Sequence, residues 1–384
     1  MNRDHVPSMH VTGSQFFPKQ IVLNLWLPLT AVVLCFGFAS GVVKAQDRDR
    51  PFLPGPVRVV STVPANGDVN PYGVAFVPPD FPAGGTIHPG DVLVSNFNAS
   101  SGLQGTGTTI VDVPPDAPLA LFFQGTAPLG LTTALTILRK GFILVGNFPS
   151  PDGSCGSASP GSILVVDKNG TLVSTITDST IQGPWDSALF DLGSKAKLFV
   201  ANGLSGAVVR LDLNITNSGV SVSKATQIAS GYLHNCDPVT FVDAPTGLVY
   251  DPEKDLLYVA STADNAVYAV NDAAERTHDG GVGKLIYKDQ KHLHGALGLA
   301  MAPNGHLLVT NNDSVNPDPA QPSELVEFTI QGKFIKQISL DPTPGGSFGL
   351  AVETIGKTAK LAAVDDSVNL FLIWTLQAQG KDSD

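Results

Sequence analysis

Short apolar runs, each opened by a small or turn-forming residue, return six times along this chain of 384 residues. The first run of each unit starts at Pro71-Tyr72-Gly73, Pro128-Leu129-Gly130, Pro184-Trp185-Asp186, Pro245-Thr246-Gly247, Ala296-Leu297-Gly298 and Ser347-Phe348-Gly349. A hexad then ends in a small polar residue: Asn96, Asn147, Asn202, Ser261, Asn311 and Asp365. A third apolar run follows, closing at Asp112, Asp167, Asp212, Asn271, Thr329 and Thr375. Weak alternation within the hexads is what strands buried on both faces produce. Units of this kind at a fixed period cannot bury both faces alone, so the pattern predicts an all-β, six-bladed β-propeller.

Turn chemistry gives the ring two unlike faces. Tight links such as Asp251-Pro252-Glu253-Lys254-Asp255 and Ala302-Pro303-Asn304-Gly305 join first to second runs, and Asn-Gly tolerates the positive φ that hairpins need. Links from second to third runs are long, notably 97–107, 148–161 and 312–323. The start of each first strand and the polar end of each hexad therefore gather on the long-loop face, where binding is expected. A Pro/Gly-rich insertion, 77–90, lies on the other face. The last unit lacks a fourth strand, and 57–63 is placed to supply it and close the ring.

Composition adds a compartment. Lys19 precedes an apolar stretch from Ile21 to Val43, and Val43-Lys44-Ala45 reads as a cleavage site, giving a signal peptide over 1–45 with an uncleaved membrane anchor as the alternative. The propeller then occupies 46–384 as a single domain, secreted or periplasmic. Loss of the leader removes Arg3, Lys19, Lys44 and Asp4 and moves the net charge from −11 to −13. Such a surface repels nucleic acid and anionic lipid. Cys155 and Cys236 remain as an even pair, a disulfide candidate in an exported chain.

With 245–270 and 298–313 in view, the chain resembles, over 57–376, the six-bladed propellers of the NHL-repeat and SMP-30/gluconolactonase-like superfamily. That resemblance implies the fold and leaves the activity open. In peptidyl-hydroxyglycine lyases of this fold, zinc histidines precede the Gly of the first-strand mark. The matching positions here are Tyr72, Leu129, Trp185, Thr246, Leu297 and Phe348, so the resemblance implies no zinc triad. In gluconolactonase-like members a divalent cation is held by an acidic residue on one first strand and by Asn and Asp on others. Asp186 stands at such a position, but Gly73, Gly130, Gly247, Gly298 and Gly349 occupy its equivalents.

Two functions are carried forward. In the first, an exported, monomeric propeller binds a small molecule or an extracytoplasmic protein without chemistry, using Tyr72, Trp185 and Phe348 as an apolar floor and Asn96, Asn147, Asn202, Asn311 and Asp365 as hydrogen-bonding groups. Amides that satisfy loop backbone and rings that pack between blades are the competing structural roles. In the second, a calcium-dependent hydrolase, most simply a lactonase, uses Asp186 as metal ligand and His294 for proton transfer. The oxygen-rich run 311–318 resembles part of a calcium loop, although Asn and Asp are also the ordinary turn residues. No nucleophile elbow, phosphate-binding glycine loop or redox CxxC occurs.

Overall fold

The computed structural model describes residues 51–53 and 58–378; the expected leader lies outside them. Six four-stranded antiparallel sheets follow one another around an axis. Blade one comprises Val69–Phe76, Val92–Asn98, Thr109–Val113 and Ala120–Gln124. Blade two is Leu131–Leu138, Phe142–Asn147, Ser162–Asp167 and Leu172–Ile176, and blade three Pro184–Asp191, Lys195–Asn202, Ala207–Thr216 and Gly219–Ser230. Blade four is Pro245–Asp251, Leu256–Ser261, Ala266–Asn271 and Lys284–Tyr287, and blade five Ala296–Met301, Leu307–Asn311, Glu324–Phe328 and Phe334–Ser339. Blade six has Ser347–Ile355, Thr358–Asp365 and Leu370–Gln377, and its fourth strand is Arg58–Ser61, paired antiparallel with the third so that Val60 faces Phe371. Among the described residues no helix is long and apolar enough to cross a membrane.

Each first strand lies innermost, against the first strands of both neighbouring blades, and each carries a bulge at the same height. Before the bulge, Pro71 faces Asn96, Pro184 faces Asn202 and Ser347 faces Asp365, so the first-strand marks and the hexad ends do meet at one rim. The bulge turns the next side chain toward the axis. Blade two corrects the sequence reading. Its register begins at Leu131, opposite Asn147, and its bulge takes up two extra residues, one more than in the other blades, before Leu135 faces Val145. The axial position there is Thr133, while Leu129 is buried between blades one and two. The Pro-x-Gly spelling at 128–130 is a loop that precedes the strand.

Hydroxyl groups join blade to blade at the bulges. The Ser95 hydroxyl accepts from the Gly73 amide (2.9 Å) and donates to the Thr132 carbonyl of the next blade (2.8 Å). Thr310 does the same between the Gly298 amide (2.8 Å) and the Phe348 carbonyl (2.6 Å). Glycine beside the bulge lets neighbouring backbones close in: a Cβ on Gly349 would stand 1.8 Å from the Tyr72 carbonyl oxygen. Apolar clusters fill the spaces between successive blades. Phe52 and Leu53 join the cluster between blades five and six, and both their amides donate to the buried Glu327 carboxylate.

Candidate functional site

On the long-loop face the channel mouth is filled by aromatic side chains. Tyr72 stacks on Phe348 at 4.0 Å and on Phe97 at 4.6 Å, and meets Trp185 edge-on at 5.6 Å. Phe241 stacks on Trp185 at 5.9 Å and presents edges to Phe97 and Phe148. These rings are buried, Tyr72 being 2% exposed. Three of them, Tyr72, Trp185 and Phe348, are the rings that the sequence predicts here. Phe97 and Phe148 are the first residues beyond two hexads, and Phe241 comes from elsewhere.

Phe241 is carried by a hairpin, Asn235–Asp237 paired with Phe241–Asp243, between blades three and four. The predicted disulfide is present: Cys155, in the long loop of blade two, bonds Cys236 of this hairpin with 5.4 Å between Cα atoms. One loop of the chain is thereby fastened over the mouth to another that arrives from the opposite side of blade three.

Above the rings lies a cleft of ≈ 390 Å³, lined by Tyr72, Phe348, Asn70, Asn98, Gln104, Thr240, Asn312, Asp366 and Ser367 among others. Among the described residues, no Lys, Arg or His lines it. Asn98 donates to the Gly102 carbonyl (3.2 Å) and Gln104 to that of Val239 (3.0 Å), yet Asn98 Oδ1 and Gln104 Oε1 are buried without a hydrogen-bond donor. Such acceptors are few in native proteins and call for an explanation. Burial, then the neighbouring Asp365 and Asp341, holds the Asp366 carboxyl well above the usual carboxylate range. Burial, then Asp366, raises the Tyr72 hydroxyl in the same way.

The sequence-predicted amides are placed differently. Asn96 donates to the Thr62 carbonyl (3.2 Å), Asn202 to Thr180 (2.8 Å) and Asn311 to His292 (2.8 Å); Asn147 accepts from the Gly130 amide (2.9 Å). All are buried and fasten the loop that leads into each blade. Asp365 is also buried, its carboxyl raised to about 7 by burial and by Asp341. The cleft instead uses Asn98, Asn312 and Asp366, one or two residues further along.

Beneath the rings is a chamber of ≈ 60 Å³ on the axis, room for about four waters. Val74, Leu135, Leu248, Leu299 and Leu350 line it, with Asp186, Thr133 and Ser187 as its polar side chains. Asp186 accepts the Ser187 amide (2.7 Å) and the Leu248 amide (3.1 Å), and burial raises its carboxyl to about 8. Calcium needs six or more oxygens; one carboxyl and two hydroxyls among leucines do not fit it. Among the described residues no group of three or more His, Cys, Asp or Glu is placed to hold a metal ion. His294 lines neither space. Its Nδ1 meets the Asn316 carbonyl, and its Nε2 lies 3.2 Å from the Lys291 carbonyl and 3.5 Å from Glu324.

No family model and no curated protein matches the chain. Solved structures match its fold. A protein of unknown function from Bacteroides thetaiotaomicron superimposes with a TM-score of 0.52 at 10% identity, covering 83% of this chain and 76% of that one. A putative oxidoreductase (glucose dehydrogenase) from Thermus thermophilus gives 0.50 at 13% identity, covering 83% and 99%. The major allergen Mala s 1 of Malassezia sympodialis gives 0.50 at 13% identity, covering 86% and 98%. At such identities the likeness is one of fold, and the fold is the six-bladed propeller that the repeats predict.

Proposed function

We propose that the protein is an extracytoplasmic binding module whose ligand is a small, uncharged molecule rich in hydroxyl or N–H donors, held in the cleft on the long-loop face without being transformed. The observation that carries this reading is the cleft itself, of the size small ligands occupy, lined by the amide residues Asn70, Asn98, Gln104 and Asn312 with no Lys, Arg or His among the described residues. The Asp366 carboxyl, raised by burial, and the Tyr72 hydroxyl stand beside them. The disulfide supports the compartment, because such bonds persist in oxidising surroundings.

A calcium-dependent lactonase has less support. Its metal ligand Asp186 lies in the chamber, its proton-transfer residue His294 in the entry loop of blade five, and the donors around Asp186 suit a hard cation poorly. The binding reading is tested by thermal-shift screening of neutral small molecules, followed by calorimetry on Gln104→Ala and Tyr72→Phe. Each substitution is expected to weaken binding about tenfold, the worth of one hydrogen bond in a dry site. Ligands bound equally well by both variants would sink the reading.

A further inference from the structure

The seat that Phe241 fills has the marks of a site closed by the chain itself. Val242 donates its amide to the Thr240 carbonyl (2.8 Å), making Phe241, at φ 67°, the centre of a γ-turn. Such a turn with positive φ is rare and strained, more so for a bulky residue. In return the ring, 1% exposed, fits flat on Trp185 between the edges of Phe97 and Phe148. The indole Nε1–H, buried in the same cluster, has no acceptor. The hairpin's first strand is exposed, with Cys236 on its solvent side, while Val239 at its tip is 80% exposed and, with Thr240, forms part of the cleft wall. A strained backbone holding an aromatic ring over an unpartnered donor is an arrangement in search of a better occupant.

We propose that the Phe241 seat is a second subsite, continuous with the cleft, which takes a flat apolar ring bearing a hydrogen-bond acceptor, and that the Cys155–Cys236 disulfide locks it shut. The proposal takes the position of the cleft from the binding reading and nothing else. Opening needs a dithiol reductant. Its thiolate attacks the Cys236 sulfur and displaces Cys155 as thiolate; its second thiol then releases Cys236. Two electrons and two protons pass to the cysteines, and the reductant leaves as its own disulfide. Freed of the tether, the γ-turn at Phe241 relaxes and the ring swings out toward Val239.

The full chain is titrated with 6-propionyl-2-(dimethylamino)naphthalene, a neutral aromatic ketone whose carbonyl is the acceptor, before and after reduction with dithiothreitol, with acrylamide quenching of Trp185 taken as the difference from a Trp185→Phe control. Reduction is expected to raise probe affinity at least tenfold and to make Trp185 quenchable. Phe241→Gly, with the disulfide intact, is expected to bind the probe without reductant. Reduced protein with two titratable thiols and an unchanged strand signal that binds no more probe than the oxidised form overturns the proposal. Should reduction unfold the chain, Phe241→Gly decides alone: no probe binding by that variant overturns it equally. Calorimetry of neutral, donor-rich molecules on the oxidised wild type, which has the seat closed, reads the cleft by itself, so failure of the cleft reading is seen separately.

Discussion

Asp186 shows what one axial side chain does to a propeller. Its carboxyl is raised to about 8, whereas in the unfolded chain it titrates near 4. Between those values the folded state holds a proton that the unfolded state has lost, so stability is full below about pH 4 and declines as pH rises to about 8, by up to ~1.4 kcal/mol per unit. Melting temperatures of wild type are expected to fall from pH 5 to pH 8, and Asp186→Asn to flatten part of that fall; equal slopes in the two proteins would refute it. The residue itself was legible in the sequence as the one carboxyl among glycines at the bulge. Its partners were not, because chamber walls come from residues far apart in the chain. The amides failed for a finer reason. Asn96, Asn202 and Asn311 end the hexads as read, but their amides are taken up by carbonyls of the loops that enter each blade, partners the spacing does not reveal. Asn98 and Asn312, just beyond, line the cleft.

At the level of the strand, the bulge and its hydroxyl rung set how closely blades approach. Thr310→Val removes the group that joins the Gly298 amide to the Phe348 carbonyl and leaves both unpaired. A loss of about 2 kcal/mol in denaturant unfolding is expected. Gly349→Ala is more severe, since its Cβ would meet the Tyr72 carbonyl at 1.8 Å, backbone that cannot rotate away. About 3 kcal/mol or more is expected there, against little change for Gly156→Ala, which meets nothing within 4 Å. If Gly349→Ala unfolds at the wild-type denaturant midpoint, the close approach of blades six and one is wrong. Strand boundaries were readable because apolar runs and turns are local. The register of blade two was not: Pro128-Leu129-Gly130 copies the spelling of its counterparts, and only pairing with Phe142–Asn147 reveals that the strand begins at Leu131.

Ring closure is a property of the whole molecule. Arg58–Ser61 covers the edge of Leu370–Gln377, and Phe52 and Leu53 give their amides to Glu327. Deleting residues 1–62 removes both devices, leaving a bare edge and a buried carboxylate that has lost its two backbone donors and keeps Asn304 and His306. The truncated chain is expected to melt about 5 °C or more below the full one and to self-associate; a monomer of unchanged melting temperature by light scattering and calorimetry would show that closure adds nothing. The six-fold pattern was evident in the sequence because each blade repeats the same burial problem. Phe241 was invisible there, since it belongs to no repeat. The pairing of Val60 with Phe371 also has a consequence in time. A chain leaving the ribosome presents the last piece of its ring first: the strand that seals blade six emerges before any blade exists and must wait, unpaired, until some three hundred further residues have followed. Every partly synthesised ring is therefore an open arc with two raw ends, and the finished circle can appear only once Leu370–Gln377 has emerged.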